Sequence, residues 1–314
     1  MSQTNTNTMF TGLDIAKSSL QLHLANQFYE LTNQVAGHRK LIKRLRAQRC
    51  PVQVVCEATG GYEKPVLNAL HAAGIPVSLV EAGRVRHFAR AKGLRAKTDP
   101  MDAAVLTEYG TTFRPAPSTE ATPCQRQLSE LTTRRRQLLD LKVMETNRAE
   151  HYSDTFSKKQ SRQLLALLQK QIAQCDQQIS QLIAADEIFQ SKARRLDAIP
   201  GVGPATIATV LAEMPELGRL NHQAAAALAG VAPYNKESGD LNSPRHIAGG
   251  RKAVRCALYM AALSAVRHDR ILKEFYLRLR AAGKKPLVAL TACMRKLIVL
   301  MNRLLKNPNF HLAC

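Results

Sequence analysis

With 45 Lys and Arg against 24 Asp and Glu, the 314-residue chain carries a formal charge of +21, which makes a polyanion its natural partner, nucleic acid before an anionic membrane surface. The length fits two or three domains, and 45% hydrophobic residues suffice for ordinary cores. The opening MSQTNTNTMF lacks a signal-peptide pattern, Arg295 and Lys296 break the most apolar late segment, and seven scattered cysteines form no CxxC pair; these features argue against a secretory leader, a membrane span, a disulfide framework and a zinc cluster, and a cytoplasmic chain with reduced thiols is expected.

From residue 9 the sequence MFTGLDIAKSSLQLHLAN begins with an apolar run. It then alternates through Leu20, Leu22 and Leu24, predicting two strands with a turn near Lys17–Ser19. HRKLIKRLRAQ has helical spacing and a basic face, and PVQVVCEATG is a β-branched run that reads as a buried strand ending before Gly60 and Gly61. EKPVLNALHAAG reads as a helix ending on Gly74, and IPVSLVEA as a further strand. Strands alternating with helices make residues 1–115 an α/β domain. Its basic run of Arg84, Arg86, Arg90, Lys92, Arg95 and Lys97 is either a grip on a phosphate backbone or a solvated helix face.

Residues 116–190 begin as a linker, within PAPSTEATPC, and continue as a polar helical stretch. Leu165, Leu168, Ile172, Cys175, Ile179 and Leu182 alternate spacings of three and four, and Leu128, Leu131 and Leu138 supply a matching upstream seam. Two long antiparallel helices follow, a coiled-coil hairpin that closes on itself or pairs with a second subunit; the narrow seam favours a dimer. Residues 191–314 read as a helical domain. LDAIPGVGPATIATVLAEM resembles a helix-hairpin-helix, whose turn at Gly201 and Gly203 brings backbone amides to a phosphate or is an ordinary tight turn. A polar loop is expected over about 233–250, then another helix.

Four acids stand where chemistry would use them. Asp14 lies inside the first apolar run and Glu57 closes the buried strand; a carboxylate in such a place costs several kcal/mol unless it is paired or holds a cation. In KTDPMDAAVL, Asp99, Pro100 and Asp102 fit an N-cap, a first-turn proline and a third-position acid, and they equally fit two carboxylates aimed at one metal. Hard carboxylates suit magnesium, and such a set matches a metal-dependent nuclease fold of the ribonuclease H type.

GLDIAK, CEATGGYEKPV and KTDPMDAAVL resemble the successive blocks of the DEDD-type transposases of the insertion-sequence family numbered one hundred and ten, bridge-RNA-guided recombinases with a RuvC-like N-terminal domain. IPGVGPATIATVLAEM, LAGVAPYNKESGDLNSPRHIAGGRKAVRCALYMAA and GKKPLVALTACMRKL resemble that family's second domain. The resemblance implies Asp14, Glu57, Asp99 and Asp102 as a Mg2+-binding tetrad and Ser238, in KESGD, as the nucleophile; the residues alone leave Ser238 and Ser243 equal candidates. It further implies donor and target DNA and a guide RNA as partners, active sites composed between protomers of a tetramer built from dimers, and a covalent phosphoserine intermediate. His246 is a weak candidate base for the serine, and Lys236, Arg251 and Arg255 are candidate nucleic-acid contacts with Arg84, Arg86, Arg90, Arg95, Lys97, Gly201 and Gly203. The expected architecture is α/β plus all-α: a RuvC-like domain, a coiled-coil hairpin and a helical C-terminal domain. The expected activity is that of a transposase; a hydrolytic junction resolvase using only the acids and a non-enzymatic basic nucleic-acid-binding protein are the rivals.

Overall fold

The structure, a computed structural model, describes residues 8–94, 99–238, 241–307 and 309–310, with the side chains of 99–100, 236–238 and 241–244 outside the described set. The chain divides into two compact units, Met1–Glu120 and Ala121–Cys314.

The first unit opens with β1 (Met9–Ile15), β2 (Ser19–Leu24) and β3 (Gln27–Thr32), an antiparallel meander. Helix α1 (Val35–Arg46) leads to β4 (Val52–Glu57), which lies parallel to β1. Helix α2 (Lys64–Ala72) leads to β5 (Val77–Val80), parallel to β4, followed by α3 (Ala82–Ala91) and α4 (Asp99–Phe113). The sheet order is β3-β2-β1-β4-β5. Strand β3 is absent from the sequence-based reading: its residues, QFYELT, are mostly exposed at the sheet edge, and its turn is made by Ala25 and Asn26 at positive φ with no glycine to mark it.

Alternation sorts the side chains between two faces. Leu13, Cys56, Leu20, Leu22 and Val54 pack with Leu41 and Leu45 of α1 and Val66 and Leu70 of α2. On the other face Val55 and Val80 pack with Val85 of α3 and Val105, Leu106 and Tyr109 of α4. Helices on both faces of a partly parallel sheet make an α/β layer structure, compatible with the RuvC-like arrangement.

The second unit begins with α5 (Pro123–Ala149) and α6 (Thr155–Ala185), capped by Thr122 and Asp154, whose side chains accept from the Gln125 and Ser157 amides. Arg135 meets Asp176 and Lys142 meets Gln169, so the pair is antiparallel. The predicted seam is its interface: Leu138, Leu168 and Ile172 form a buried cluster against Cys175, and Leu128 and Ile179 join the main core. That core gathers α7 (Glu187–Asp197), α8 (Pro204–Glu213), α9 (His222–Leu228), α10 (Lys252–His268), α11 (Arg270–Ala281) and α12 (Pro286–Lys306). The expectation of an all-helical C-terminal domain with a polar loop is corrected here. Between α9 and α10, β6 (Pro233–Ser238) and β7 (Leu241–Ile247) form an antiparallel hairpin. Its strands are exposed at the described positions 233–235 and 245–247, so those positions carry no buried period of two. Among the described residues, no helix is long and apolar enough to cross a membrane, and Cys50, Cys56, Cys124, Cys175, Cys256 and Cys293 are free.

Candidate active site

In the parallel β1–β4 pair, Leu13 is the register partner of Cys56, so Asp14 and Glu57 are the next residues of adjacent strands, both half-buried at the C-terminal ends. Leu13 and Cys56 belong to the α1–α2 face, which puts Asp14 and Glu57 on the opposite face, with Gly12 and Val55. Helix α4 covers that face.

The approach of α4 depends on Gly12. A Cβ there would lie 2.7 Å from the Thr107 amide nitrogen and closer still to the Ala103 carbonyl oxygen, so only glycine admits the helix. Farther along α4, a Cβ on Gly110 would lie 2.8 Å from Val55 and 3.0 Å from Phe10. Ala103 and Thr107 therefore sit over Gly12 and Gly110 over Phe10, and α4 runs antiparallel to β1 with its N-terminus toward Asp14. Two strand residues from Gly12 to Asp14 advance about 6–7 Å and four helical residues from Ala103 back to Asp99 about 6 Å. The start of α4, which holds Asp99 and Asp102, thus lies level with the strand end that holds Asp14. Asp102 is half-buried, whereas the Asp99 side chain lies outside the described residues. Among the described residues, no three His, Cys, Asp or Glu side chains form a metal-holding group.

Two features absent from the sequence-based reading hold this arrangement. Thr107 Oγ1 accepts the Gly12 N–H at 2.7 Å, lies 2.9 Å from His23 Nδ1 and is 3.1 Å from the Ala103 carbonyl. One hydroxyl thus pins α4 to β1 and β2, and burial lowers the His23 pKa. Beyond Glu57, the turn through Gly60 and Gly61, both at positive φ, is organised by buried Glu63. Its Oε2 accepts from the Gly61 amide (2.8 Å), Thr59 Oγ1 (3.0 Å) and the Thr59 amide (3.1 Å). Burial raises the Glu63 pKa, but these donors outweigh it and hold the carboxyl below its ordinary range. The signal for α4 was present as Ala103, Thr107 and Gly110, small residues spaced four and three apart on one helix face. Cys56 is no rival ligand: it points to the other face, and burial with the charges of Glu63 and Glu57 pushes its thiol up to about 12.

The basic candidates separate. Arg84, Arg86 and Arg90 are exposed on α3, Arg84 within 3.7 Å of Glu81. Lys92 pairs with Glu108 of α4, and Arg95 and Lys97 lie outside the described residues.

In the second unit, Ser238 occupies the last position of β6, opposite Leu241 in register, and Lys236 lies opposite Ser243; the side chains of all four lie outside the described residues. His246 pairs with Tyr234, five residues along β7 from Leu241 and so about 17 Å from the hairpin end, beyond reach of Ser238 in the same hairpin. The hairpin base is fixed by glycines: a Cβ on Gly230 would lie 2.6 Å from the Gly249 carbonyl, which also accepts from Arg255 Nη1 at 2.7 Å. Arg251 makes two 2.7 Å bonds to Glu216 and one of 2.5 Å to the Glu213 carbonyl. These two candidate nucleic-acid contacts, four residues apart, therefore turn to different partners within the protein. The loop between α7 and α8 has Gly201 at φ 86°, where a Cβ would lie 2.5 Å from the Ala265 amide of α10; Gly203 meets nothing within 4 Å and precedes Pro204 as N-cap. Gly201 thus has a packing reason, and Gly203 leaves the α8 N-terminus open. A cleft of about 860 Å³ in this unit, lined by Arg135, Arg194, Thr206 and Met260 among others, includes none of the candidate site residues predicted from sequence.

Residues 11–157 match the DEDD transposase model of the IS110 type, and residues 193–277 match the model described as "Transposase IS116/IS110/IS902 family". The chain is 27% identical over 303 residues to the "Pilin gene-inverting protein" of Moraxella bovis and to that of Moraxella lacunata, covering 93% of this chain and 94% of each relative. It is 31% identical over 119 residues to the "Insertion element IS110 uncharacterized 43.6 kDa protein" of Streptomyces coelicolor, 37% of this chain and 29% of that protein. The first model takes in the strand ends and helix start that hold the four acids, the second the hairpin with Ser238, and on both matches the chain belongs to the IS110-type transposases, enzymes of DNA recombination.

Proposed function

We propose that this transposase cuts and rejoins donor and target DNA in a Mg2+-dependent, RNA-guided strand exchange, with Asp14, Glu57, Asp99 and Asp102 as metal ligands and Ser238 as nucleophile. The observation that carries the metal site is the shared level of Asp14, Glu57 and the α4 N-terminus on one face of the sheet. The donor set fits the ion: these are hard carboxylate oxygens at strand ends, and the nearest thiol faces away. Magnesium bound there would supply Lewis-acid polarisation of the scissile phosphodiester.

The residues divide the remaining work. Asp14 and Glu57 are held by the β1–β4 ladder, and Asp99 and Asp102 by the contact of α4 on Gly12. Ser238 Oγ attacks phosphorus, forming an Oγ–P bond as the P–O3′ bond breaks; the serine proton ends on the departing 3′ oxygen, leaving a 5′-phosphoserine. In rejoining, a 3′-hydroxyl attacks that phosphoserine and restores the serine proton. His246 is not used as the base. The exposed arginines of α3 hold the backbone near the acids. Acids and serine come from different protomers of a tetramer assembled from dimers in the cytoplasm, with the α5–α6 hairpin contributing to subunit pairing.

The name of the Moraxella relatives supports a cut-and-rejoin reaction, since inversion of a gene conserves both ends. The test is strand cleavage in Mg2+ with donor DNA, target DNA and the co-purifying RNA. Ser238→Ala is expected to abolish the covalent protein–DNA species and Asp14→Asn all cleavage. Full cleavage by Ser238→Ala would identify a hydrolytic nuclease instead, and recombination after removal of all RNA would refute guidance.

A further inference from the structure

We propose that the solvent face of α1 is a binding surface for the phosphate backbone of duplex DNA, separate from the acidic site. The proposal rests on the chain acting on DNA. Residues 31–56 contain no Asp or Glu, yet carry Arg39, Lys40, Lys43, Arg44, Arg46 and Arg49. Leu41 and Leu45 turn to the core, which leaves Arg39, Lys43 and Arg46, spaced four and three apart, as a stripe on the outer face with Lys40 beside it. Two of the six exposed cations already contact neighbouring elements: Arg46 donates to the Ala73 carbonyl at 2.9 Å, and Arg44 stacks 4.1 Å from the Tyr29 ring centroid. Arg39, Lys40, Lys43 and Arg49 are exposed and have no ion-pair partner among the described residues.

Arg84, Lys92, Arg135, Arg136, Arg148, Arg251 and Arg270 each have an acid within ion-pair distance, whereas none of these pairs lies on α1. Like charges at helical neighbour positions destabilise a helix slightly, and a bound polyanion would relieve that repulsion. The nearest acid of the adjoining strand, Glu30, pairs in register with Gln21 and so faces the other side of the sheet.

Geometry identifies the occupant as a duplex backbone. The Tyr29 ring is already covered by Arg44, and Phe28, the exposed aromatic of the same strand, lies on the opposite face against His23 at 4.7 Å. The α1 surface therefore offers cations without a stacking platform, which suits phosphates and not the unstacked bases of a single strand. Helix α1 packs on the Leu13–Cys56 face of the sheet, whereas Asp14 and Glu57 point to the α4 face. The thickness of a helix layer, about 10–12 Å, then separates the stripe from the acids, so it grips duplex away from the scissile phosphate.

The test is fluorescence anisotropy of the full chain on a short labelled duplex DNA, with a matched duplex RNA as second arm, over a series of salt concentrations. Replacing Arg39, Lys40 and Lys43 together by Gln is expected to make the slope of log affinity against log salt shallower by about 3, at ~0.9 for each phosphate no longer neutralised, equally on unrelated DNA sequences. The swap Arg39→Lys, Lys40→Arg, Lys43→Arg keeps the charges and is expected to bind as wild type, which controls for folding. Asp14→Asn is expected to lose cleavage and keep this binding, so failure of the acidic site reads out separately. An unchanged slope, a loss confined to duplex RNA, or a loss shared by the charge-preserving swap would overturn the proposal.

Discussion

Substitution Gly12→Ala tests the joint between strand and helix on which the acidic site depends. The added methyl would lie 2.7 Å from the Thr107 amide nitrogen and 2.8 Å from Leu106 Cβ, against ordinary contacts beyond 3.4 Å. Helix α4 must retreat by about 1 Å, and overpacking of this kind costs about 1–3 kcal/mol. The retreat also stretches the 2.7 Å bond from the Gly12 amide to Thr107 Oγ1, worth about 1 kcal/mol. The expected loss of stability is therefore about 2–4 kcal/mol, read as a lower urea midpoint. Catalysis suffers further, because the same shift carries Asp99 and Asp102 away from Asp14 and Glu57. A displacement of about 1 Å in a catalytic constellation costs on the order of 100-fold in rate. DNA cleavage under conditions where the variant is fully folded separates the two effects. A variant with native stability and native cleavage would refute the packing of α4 on β1.

Thr107→Val leaves the Gly12 amide without its acceptor and is expected to cost about 1–3 kcal/mol, with Thr107→Ser restoring most of it in the same denaturation assay. Glu63→Gln is expected to cost about 1–2 kcal/mol at neutral pH. Because the folded state lowers the Glu63 pKa, its contribution is complete above the unfolded carboxylate range and fades as pH falls through the depressed folded value. Stability measured from pH 7 into the acid range should thus fall less steeply in Glu63→Gln than in wild type. Arg251→Lys loses the forked contact with half-exposed Glu216 and is expected to lower stability by about 1 kcal/mol with DNA affinity unchanged; a loss of DNA affinity without loss of stability would return Arg251 to phosphate binding. Gly201→Ala forces a methyl to 2.5 Å from the Ala265 amide at φ 86°, and an expected loss of about 2–4 kcal/mol is checked by thermal unfolding.

The sequence revealed elements wherever burial imposed a period. Leu20, Leu22 and Leu24 alternate because one side of β2 meets the core, and Leu168, Ile172 and Ile179 recur at helical spacing because α5 covers them. The edge strand β3 is mostly exposed and the β6–β7 hairpin is exposed at its described positions 233–235 and 245–247, so neither left such a trace there, and both escaped. The acids were legible because Asp14 and Glu57 interrupt apolar strands. The Thr107 joint was not, since its meaning lies in contacts between residues 84 and 95 positions apart. Arg251 and Arg255 illustrate a further limit: shared helical spacing places two side chains on one face, but Glu216 and the Gly249 carbonyl decide where each ends.

In the proposed reaction the acids at the β1 and β4 ends and at the α4 start hold one metal site used in strand cleavage. Asp14→Cys, assayed for DNA cleavage in Mg2+ and then in Mn2+, tests it most directly, because a thiolate ligand suits the softer ion. The variant is expected to be inactive in Mg2+ and to regain cleavage in Mn2+. Undiminished cleavage in Mg2+ would contradict the shared metal site.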